Sequence, residues 1–363
     1  MAKRVSVDRW LFGVTLVLVF IGLVMIFSAS AVMASERFGS PYYFIVRQGM
    51  WALAGLLAMT LLMHFDYRRL KHPAIVFSLL GLTTLLLVSV LFLDRSHNVH
   101  RWIRVGSFSL QPSELAKPAV ILFLAYFLET RTKTITDWRQ TLLPAAVPSL
   151  AFIVLIALQP DLGTAIMCAG ITIAILYIAG MRMRYFAYTA VASLPFLYLL
   201  IWQVPWRRAR IMAWLDPFAD PQGRGFHTVQ SLIAVGTGGI TGSGLMEGKQ
   251  KLFYLPEPQT DFIFAVTAEE LGLVGSFFVV ALFALFCFRG YRAALRCPDL
   301  FGRFLAAGIT TMIGVQAFFN ISVVLALLPT KGIPLPLISY GGTSLFVTLA
   351  SVGVLLNITR QTD

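Results

Sequence analysis

The run WLFGVTLVLVFIGLVMIFSASAVMA, residues 10–34, carries no charged side chain. It is longer than the roughly 20 residues that an α-helix needs to cross the hydrocarbon of a bilayer. No small-residue cleavage site follows a short apolar core, so the run reads as a retained helix rather than a removed signal peptide. Nine more apolar blocks follow, at about 46–63, 73–93, 112–128, 142–158, 163–180, 185–203, 262–288, 304–328 and 338–357. Hydrophobic residues fill 58% of the 363 positions and charged residues 13%, against roughly a quarter charged in a soluble domain. The blocks are continuous rather than alternating with the period of a strand or a surface helix, which is the transmembrane signature. The expected fold class is an all-α integral membrane protein with ten transmembrane helices. A single polytopic domain spans 1–363, and a large extracytoplasmic loop, 204–261, separates helices 7 and 8. No internal repeat and no soluble domain is evident.

The net charge of +12 is scattered in short clusters between the blocks. No aromatic-interleaved basic face accompanies it, which argues against a nucleic-acid partner. In a membrane protein such clusters set orientation. Ten crossings place both termini on one side. The termini and the connections on that side carry sixteen Lys and Arg: Lys3, Arg4, Arg9, Arg68, Arg69, Lys71, Arg131, Lys133, Arg139, Arg182, Arg184, Arg289, Arg292, Arg296, Arg303 and Arg360. The short connections opposite carry six: Arg37, Arg47, Arg95, Arg101, Arg104 and Lys331. The bias puts both termini in the cytoplasm.

Two outer connections are more than tethers. One, 94–111, reads DRSHNVHRWIRVGSFSLQ. The other, 204–261, is much the longest and carries six further basic residues; a Gly- and Pro-rich loop of that length is functional or disordered. Its segment WRRARIMAWL sets Trp206, Ile211 and Trp214 amid Arg207, Arg208 and Arg210, a pattern suited to the membrane interface. Its segment GTGGITGSGLMEGKQK invites a nucleotide-loop reading, which fails. Gln250 stands where Ser or Thr is needed, and no βαβ unit surrounds it. The glycines instead allow tight folding close to helices or to a polar head group. Cys168, Cys287 and Cys297 lack paired spacing and read as free thiols with no metal role.

Charges at membrane depth are expensive, so each is a functional candidate. Glu114 and Lys117, in PSELAK, share one face at i, i+3 spacing behind Pro112. They are either an ion pair near a helix end or substrate contacts. Asp161, in LQPDLGT, suits a helix cap as well as a place in the site. Asp261 opens the eighth block in PEPQTDFIFAVTAEELG. It is either a cap helped by the helix dipole or a carboxylate set among cations, suited to act as a general base on a hydroxyl. Along a helix, Glu269 would lie about 80° from the Asp261 direction and Glu270 about 180°, which favours Glu269 as a site residue.

Four stretches together carry a resemblance. They are RWIRVGSFSLQPSELAK (101–117), LQPDLGT (158–164), the run from GRGFHTVQSLIAVGTGG (223–239) through YLPEPQTDFIFAVTAEELGLVG (254–275), and LPTKGIPLPLISYGGTSL (328–345). In this order they resemble the SEDS family (shape, elongation, division and sporulation), over about residues 10–358. LPTKGIPLPLISYGG is more similar to the division branch than to the elongation branch. The resemblance implies ten transmembrane helices and a processive peptidoglycan glycosyltransferase that polymerises lipid II, the undecaprenyl-pyrophosphate-linked disaccharide peptide. It implies that Asp261 is the catalytic aspartate and that Lys117 lies near it. It also implies a class B penicillin-binding protein as transpeptidase partner, other division-complex proteins, and a place in the bacterial cytoplasmic membrane at the septum.

Such a polymerase joins the 4-hydroxyl of one sugar to C1 of another whose leaving group is undecaprenyl pyrophosphate. The hydroxyl needs a base on the face opposite the leaving group, and the pyrophosphate needs cations. Asp261 is the expected base. Lys117, Arg101, Arg207, Arg210 and Lys331 are the expected cations, and Glu114, Asp161 and Glu269 are further substrate contacts. Mg²⁺ or Mn²⁺, held by carboxylate and pyrophosphate, would share that work; no nucleotide is expected. The competing readings are a lipid II flippase, which would use the same intramembrane charges, and a non-catalytic division scaffold. Placement favours the polymerase, since the charged motifs gather at the outer helix ends, and no pair of broken helices at matching positions of two halves is evident.

Overall fold

Each of the ten apolar blocks coincides with a helix. The computed structural model describes residues 7–93, 101–105, 108–131, 134–135, 137–252 and 254–361. Lys3, Arg4, Arg95 and Lys133 of the charge census, and the first part of the 94–111 connection, lie outside them. The helices are α1 (Arg9–Phe38), α2 (Tyr43–His64), α3 (Pro73–Leu93), α4 (Pro112–Glu129), α5 (Leu143–Leu158), α6 (Leu162–Ile178), α7 (Met183–Trp202), α8 (Pro205–Leu215), α9 (Phe226–Gly238), α10 (Ile263–Arg296), α11 (Leu300–Val324) and α12 (Gly342–Thr359). Eight are long and apolar enough to cross a membrane: α1, α2, α3, α5 with its leading turn from Trp138, α7, α10, α11 and α12. Of the other two blocks, α6 is apolar but runs 17 residues, and α4 carries Glu114, Lys117 and Glu129 within its 18.

The ninth block ends sooner than its composition suggests. Helix α11 stops at Val324 and α12 begins only at Gly342. Pro329, Pro334 and Pro336 supply no amide for a helical ladder, so 325–341 forms a loop that returns into the bundle, with Ile333, Leu335, Leu337 and Ile338 buried. The long 204–261 connection also carries regular structure. Its amphipathic segment is α8, pinned where Trp214 Nε1 donates to the Ala326 carbonyl at 2.8 Å. Its second helix, α9, packs along α10, and Ser231 donates to the Val324 carbonyl at 2.7 Å. In the 94–111 connection, strands β1 (Ile103–Val105) and β2 (Phe108–Leu110) pair antiparallel, with Arg104 opposite Ser109. The Ser109 carbonyl accepts from the Thr343 hydroxyl of α12 at 2.8 Å.

Helices α4, α11 and α12 form the buried centre, with α6 beside them. In contrast, α7 buries none of its described side chains and touches mainly α8. Helix α10 is interrupted at Gly272, whose φ of 65° lies in the left-handed region that glycine enters without strain. The interruption exposes backbone groups, and the glycine-rich loop satisfies them. Leu273 and Val274 donate to the carbonyls of Gly239 and Ile240 at 2.9 and 3.2 Å, while Ser243 and Gly244 donate to those of Glu269 and Glu270 at 3.0 and 3.1 Å. A break at membrane depth is tolerated when protein groups take up the freed donors and acceptors. GTGGITGSG is therefore the plug of a helix break.

Candidate active site

The site forms where the start of α10 meets the loop before α12. Three successive carbonyls hold the chain around Asp261. Gln259 accepts from the Tyr340 amide at 2.9 Å, Thr260 from the Ser339 hydroxyl at 2.6 Å, and Asp261 from Asn320 Nδ2 at 2.8 Å. Asn320 also donates to the Ile333 carbonyl at 2.8 Å. One turn earlier on α11, Gln316 donates to the Pro334 carbonyl at 2.9 Å and accepts from Lys117 Nζ at 2.7 Å. Two amide side chains at i, i+4 on α11 thus clamp the Asp261 segment, the 331–334 loop and Lys117 together. The chain near Asp261 is fixed by its backbone, and its side chain is spared for other work. Helix α10 begins without a side-chain cap, so the capping role open to Asp261 in the sequence is not taken.

The Asp261 carboxylate borders two cavities. The first, of about 230 Å³, is lined by Arg101, Trp102, Glu114, Lys117, Asp161 and Gln316 among others. The second, of about 300 Å³, is lined by Arg210, Arg224, His227, Glu257 and Lys331. Gly332 borders both. A Cβ on Gly332 would fall 2.8 Å from Asp261 Oδ2, so a side chain there would displace the carboxylate. In the first cavity, Lys117 Nζ contacts Glu114 Oε2 at 2.8 Å, both nearly fully buried. Asp161 caps α6 through the Thr164 amide at 3.3 Å and hydroxyl at 2.7 Å while lining the same space. Arg101 reaches across to the carbonyls of Gln159 and Pro160.

Burial, with Glu257 adding repulsion, pushes the Asp261 carboxyl up to about 6 against the pull of Arg210 and Arg101. Burial lowers Lys331 to about 8; Asp161 opposes this, and Arg101, Arg210 and Arg207 add to it. Arg210 is lowered by burial and by Arg101, and His227 by burial and by Arg210. Several cations are thus held together in partly desolvated space, where each weakens the next. A polyanion between them would relieve both the repulsion and the lost hydration. Among the described residues, no three His, Cys, Asp or Glu side chains gather as a metal cage.

Two of the expected site residues lie elsewhere. Glu269 accepts from the amides of Lys249 at 2.7 Å and Gln250 at 3.2 Å. It anchors the glycine-rich loop rather than facing either cavity. Asp261 shares no helical face with Glu269, because the helix begins only at Ile263. Glu270 has a parallel task, bonded to Lys251 Nζ at 2.6 Å and Ser28 at 2.7 Å. Arg207 lines neither cavity, although its charge reaches Lys331; it donates to the Leu200 carbonyl at 2.9 Å and lies over Trp206. Sequence reasoning missed Gln316, Asn320, Tyr340, Trp102, Arg224 and His227. For Gln316 and Asn320 a signal existed, two amides at i, i+4 within an apolar block. For the others the only signal was membership of the quoted motifs.

A multi-pass helical membrane protein with a carboxylate between two cation-lined cavities, at the foot of an interrupted helix, is the class that the fold and site define. The chain belongs to the FtsW/RodA/SpoVE family of cell cycle proteins, which it matches over residues 8–363, and within it is a SEDS protein of the FtsW type. It is 47% identical over 341 residues to the probable peptidoglycan glycosyltransferase FtsW of Geobacter metallireducens, covering 94% of this chain and 91% of that one. It is 44% identical over 359 residues to the stage V sporulation protein E of Bacillus subtilis, covering 99% and 98%. Its fold matches a chain of a solved peptidoglycan synthase complex with a TM-score of 0.81 at 31% identity, over 99% of each chain.

Proposed function

We propose that the protein is a peptidoglycan glycosyltransferase that polymerises lipid II into glycan strands at the outer face of the bacterial cytoplasmic membrane, in septal wall synthesis. The carrying observation is Asp261, a carboxylate poised near neutrality between two cavities, with cations in both. In this reading the acceptor 4-hydroxyl gives its proton to Asp261 as its oxygen attacks C1 of the donor sugar. The C1–O bond to undecaprenyl pyrophosphate breaks on the opposite face, and the configuration inverts. Arg101, Arg210 and Lys331 take up the charge that develops on the pyrophosphate. Lys117, held by Glu114 and Gln316, lines the same cavity as the carboxylate and contacts substrate; Asp161 completes the rim. Mg²⁺ or Mn²⁺, held by a carboxylate of the site and the pyrophosphate, would add positive charge there.

The topology that suits this chemistry has ten crossings, with α4 and α6 among them, both termini in the cytoplasm, and α8, α9 and the site on the outer side. The charge bias along the sequence supports it. A class B penicillin-binding protein is the fitting partner, alongside other division proteins, since the matched chain belongs to a peptidoglycan synthase complex. The test is purified lipid II given to the purified protein, with and without that partner, its transpeptidase blocked. Glycan strands support the proposal. No strands, with lipid II moved across vesicles instead, would replace it with a flippase.

A further inference from the structure

Three cavities run in series through the site. The one holding Arg210 and Lys331 shares Asp261 and Gly332 with the one holding Lys117. That one shares Trp102, Thr260, Tyr340 and Gly341 with a third, of about 180 Å³, which Arg47, Trp51 and Ser109 help to line. The first and the third have no lining residue in common. The Arg210–Lys331 cluster therefore lies on one side of Asp261, and an aromatic recess lies beyond Thr260 on the other.

The walls of this recess are held from behind. The Trp51 indole packs so closely on Gly342 that a Cβ there would fall 2.2 Å from Nε1, and it meets Phe346 edge-on at 6.2 Å. Tyr340 meets Phe44 edge-on at 5.0 Å, and the residues on either side of it are both bonded to the buried Gln48. Arg47 lies over the Tyr43 ring at 4.3 Å, and its charge reaches the Tyr340 hydroxyl. Rings held in this way, with a guanidinium and a serine hydroxyl among them, suit a sugar. The C–H face of a pyranose lies flat on an aromatic ring, while its hydroxyl and acetamido groups hydrogen-bond at the rim. Interfacial aromatics that merely anchor a helix face the head groups; these line a cavity continuous with the Asp261 site.

We propose that the recess walled by Trp51, Trp102 and Tyr340 is a carbohydrate subsite that holds N-acetylated sugar units of the growing strand. It rests on the polymerase reading above. A subsite away from the reacting bond acts mainly on how long a strand is retained between additions. Lipid II polymerisation by Trp51→Ala, Trp51→Leu and Trp51→Phe, each with the partner present, tests this, with strand length and lipid II consumption read separately; Trp51 lines the recess but not the Asp261 cavity. Removing one stacking contact should shorten strands about fivefold in Trp51→Ala and Trp51→Leu. Consumption should fall much less, and Trp51→Phe should lie between them and wild type. Should Trp51→Ala fail to fold, Trp51→Phe and Trp51→Leu carry the test. Strands of wild-type length from folded variants, or length and consumption falling in parallel, would overturn the subsite while leaving the polymerase standing. A wild type that makes no strands overturns the polymerase reading, and the subsite with it.

Discussion

Replacing Asp261 by Asn should make the protein more stable at neutral pH. The folded carboxyl is pushed from 3.8 up to about 6, so folding holds more protons than the unfolded chain between those values. The direction follows: this group's contribution to stability falls as pH rises from about 4 to about 6, and the full penalty stands above that. At about 1.4 kcal/mol per pH unit the penalty is about 3 kcal/mol. Asn keeps the size and cannot ionise. Thermal melts of the detergent-solubilised variant should therefore lie several degrees above wild type at pH 7.5, and the gap should close as the pH falls towards 4. An Asp261→Asn protein that melts at or below wild type at pH 7.5, or whose advantage is the same at pH 5, would refute the claim that this carboxylate is held at a cost. It would suggest instead a carboxylate doing structural work.

Gly332→Ala should leave the melt within about 0.5 kcal/mol of wild type yet cut strand synthesis about tenfold or more, because its Cβ displaces the Asp261 carboxylate and misplaced reacting groups are costly; equal activity in a polymerisation assay would contradict this. Lys117→Met strands a buried Glu114 and should destabilise by about 3–5 kcal/mol. In a denaturation series Glu114→Gln/Lys117→Met should recover part of that stability but not activity. For topology, a cysteine at residue 250 should react with an impermeant thiol probe from outside the cell and one at residue 135 only from inside; reversal at either would sink the ten-crossing arrangement.

Much of the fold was legible because lipid leaves few choices: a long apolar block must satisfy its own backbone, and a helix does so. That rule located ten helices. It did not locate the Gly272 break, because the partners that make a break affordable lie in a loop some thirty positions earlier, in the glycines from Gly239 to Gly244. In the site, Asp261, Lys117, Arg101, Glu114, Asp161, Arg210 and Lys331 were visible as charges beside or within apolar blocks. Their grouping was not, since Lys117 meets Gln316 across 199 positions. Glu269 misled for the same reason: a carboxylate inside a helix reads as functional until the loop that it anchors is seen.

The most direct measurement of the central claim compares strand synthesis from purified lipid II by wild type and by Asp261→Asn, each with its transpeptidase partner and each shown by its melt to be folded. Loss of a general base predicts a fall of about 10²-fold or more in the variant, with wild-type synthesis declining as the pH drops through about 6 because the base becomes protonated. A folded Asp261→Asn that makes strands in wild-type amounts would contradict the account.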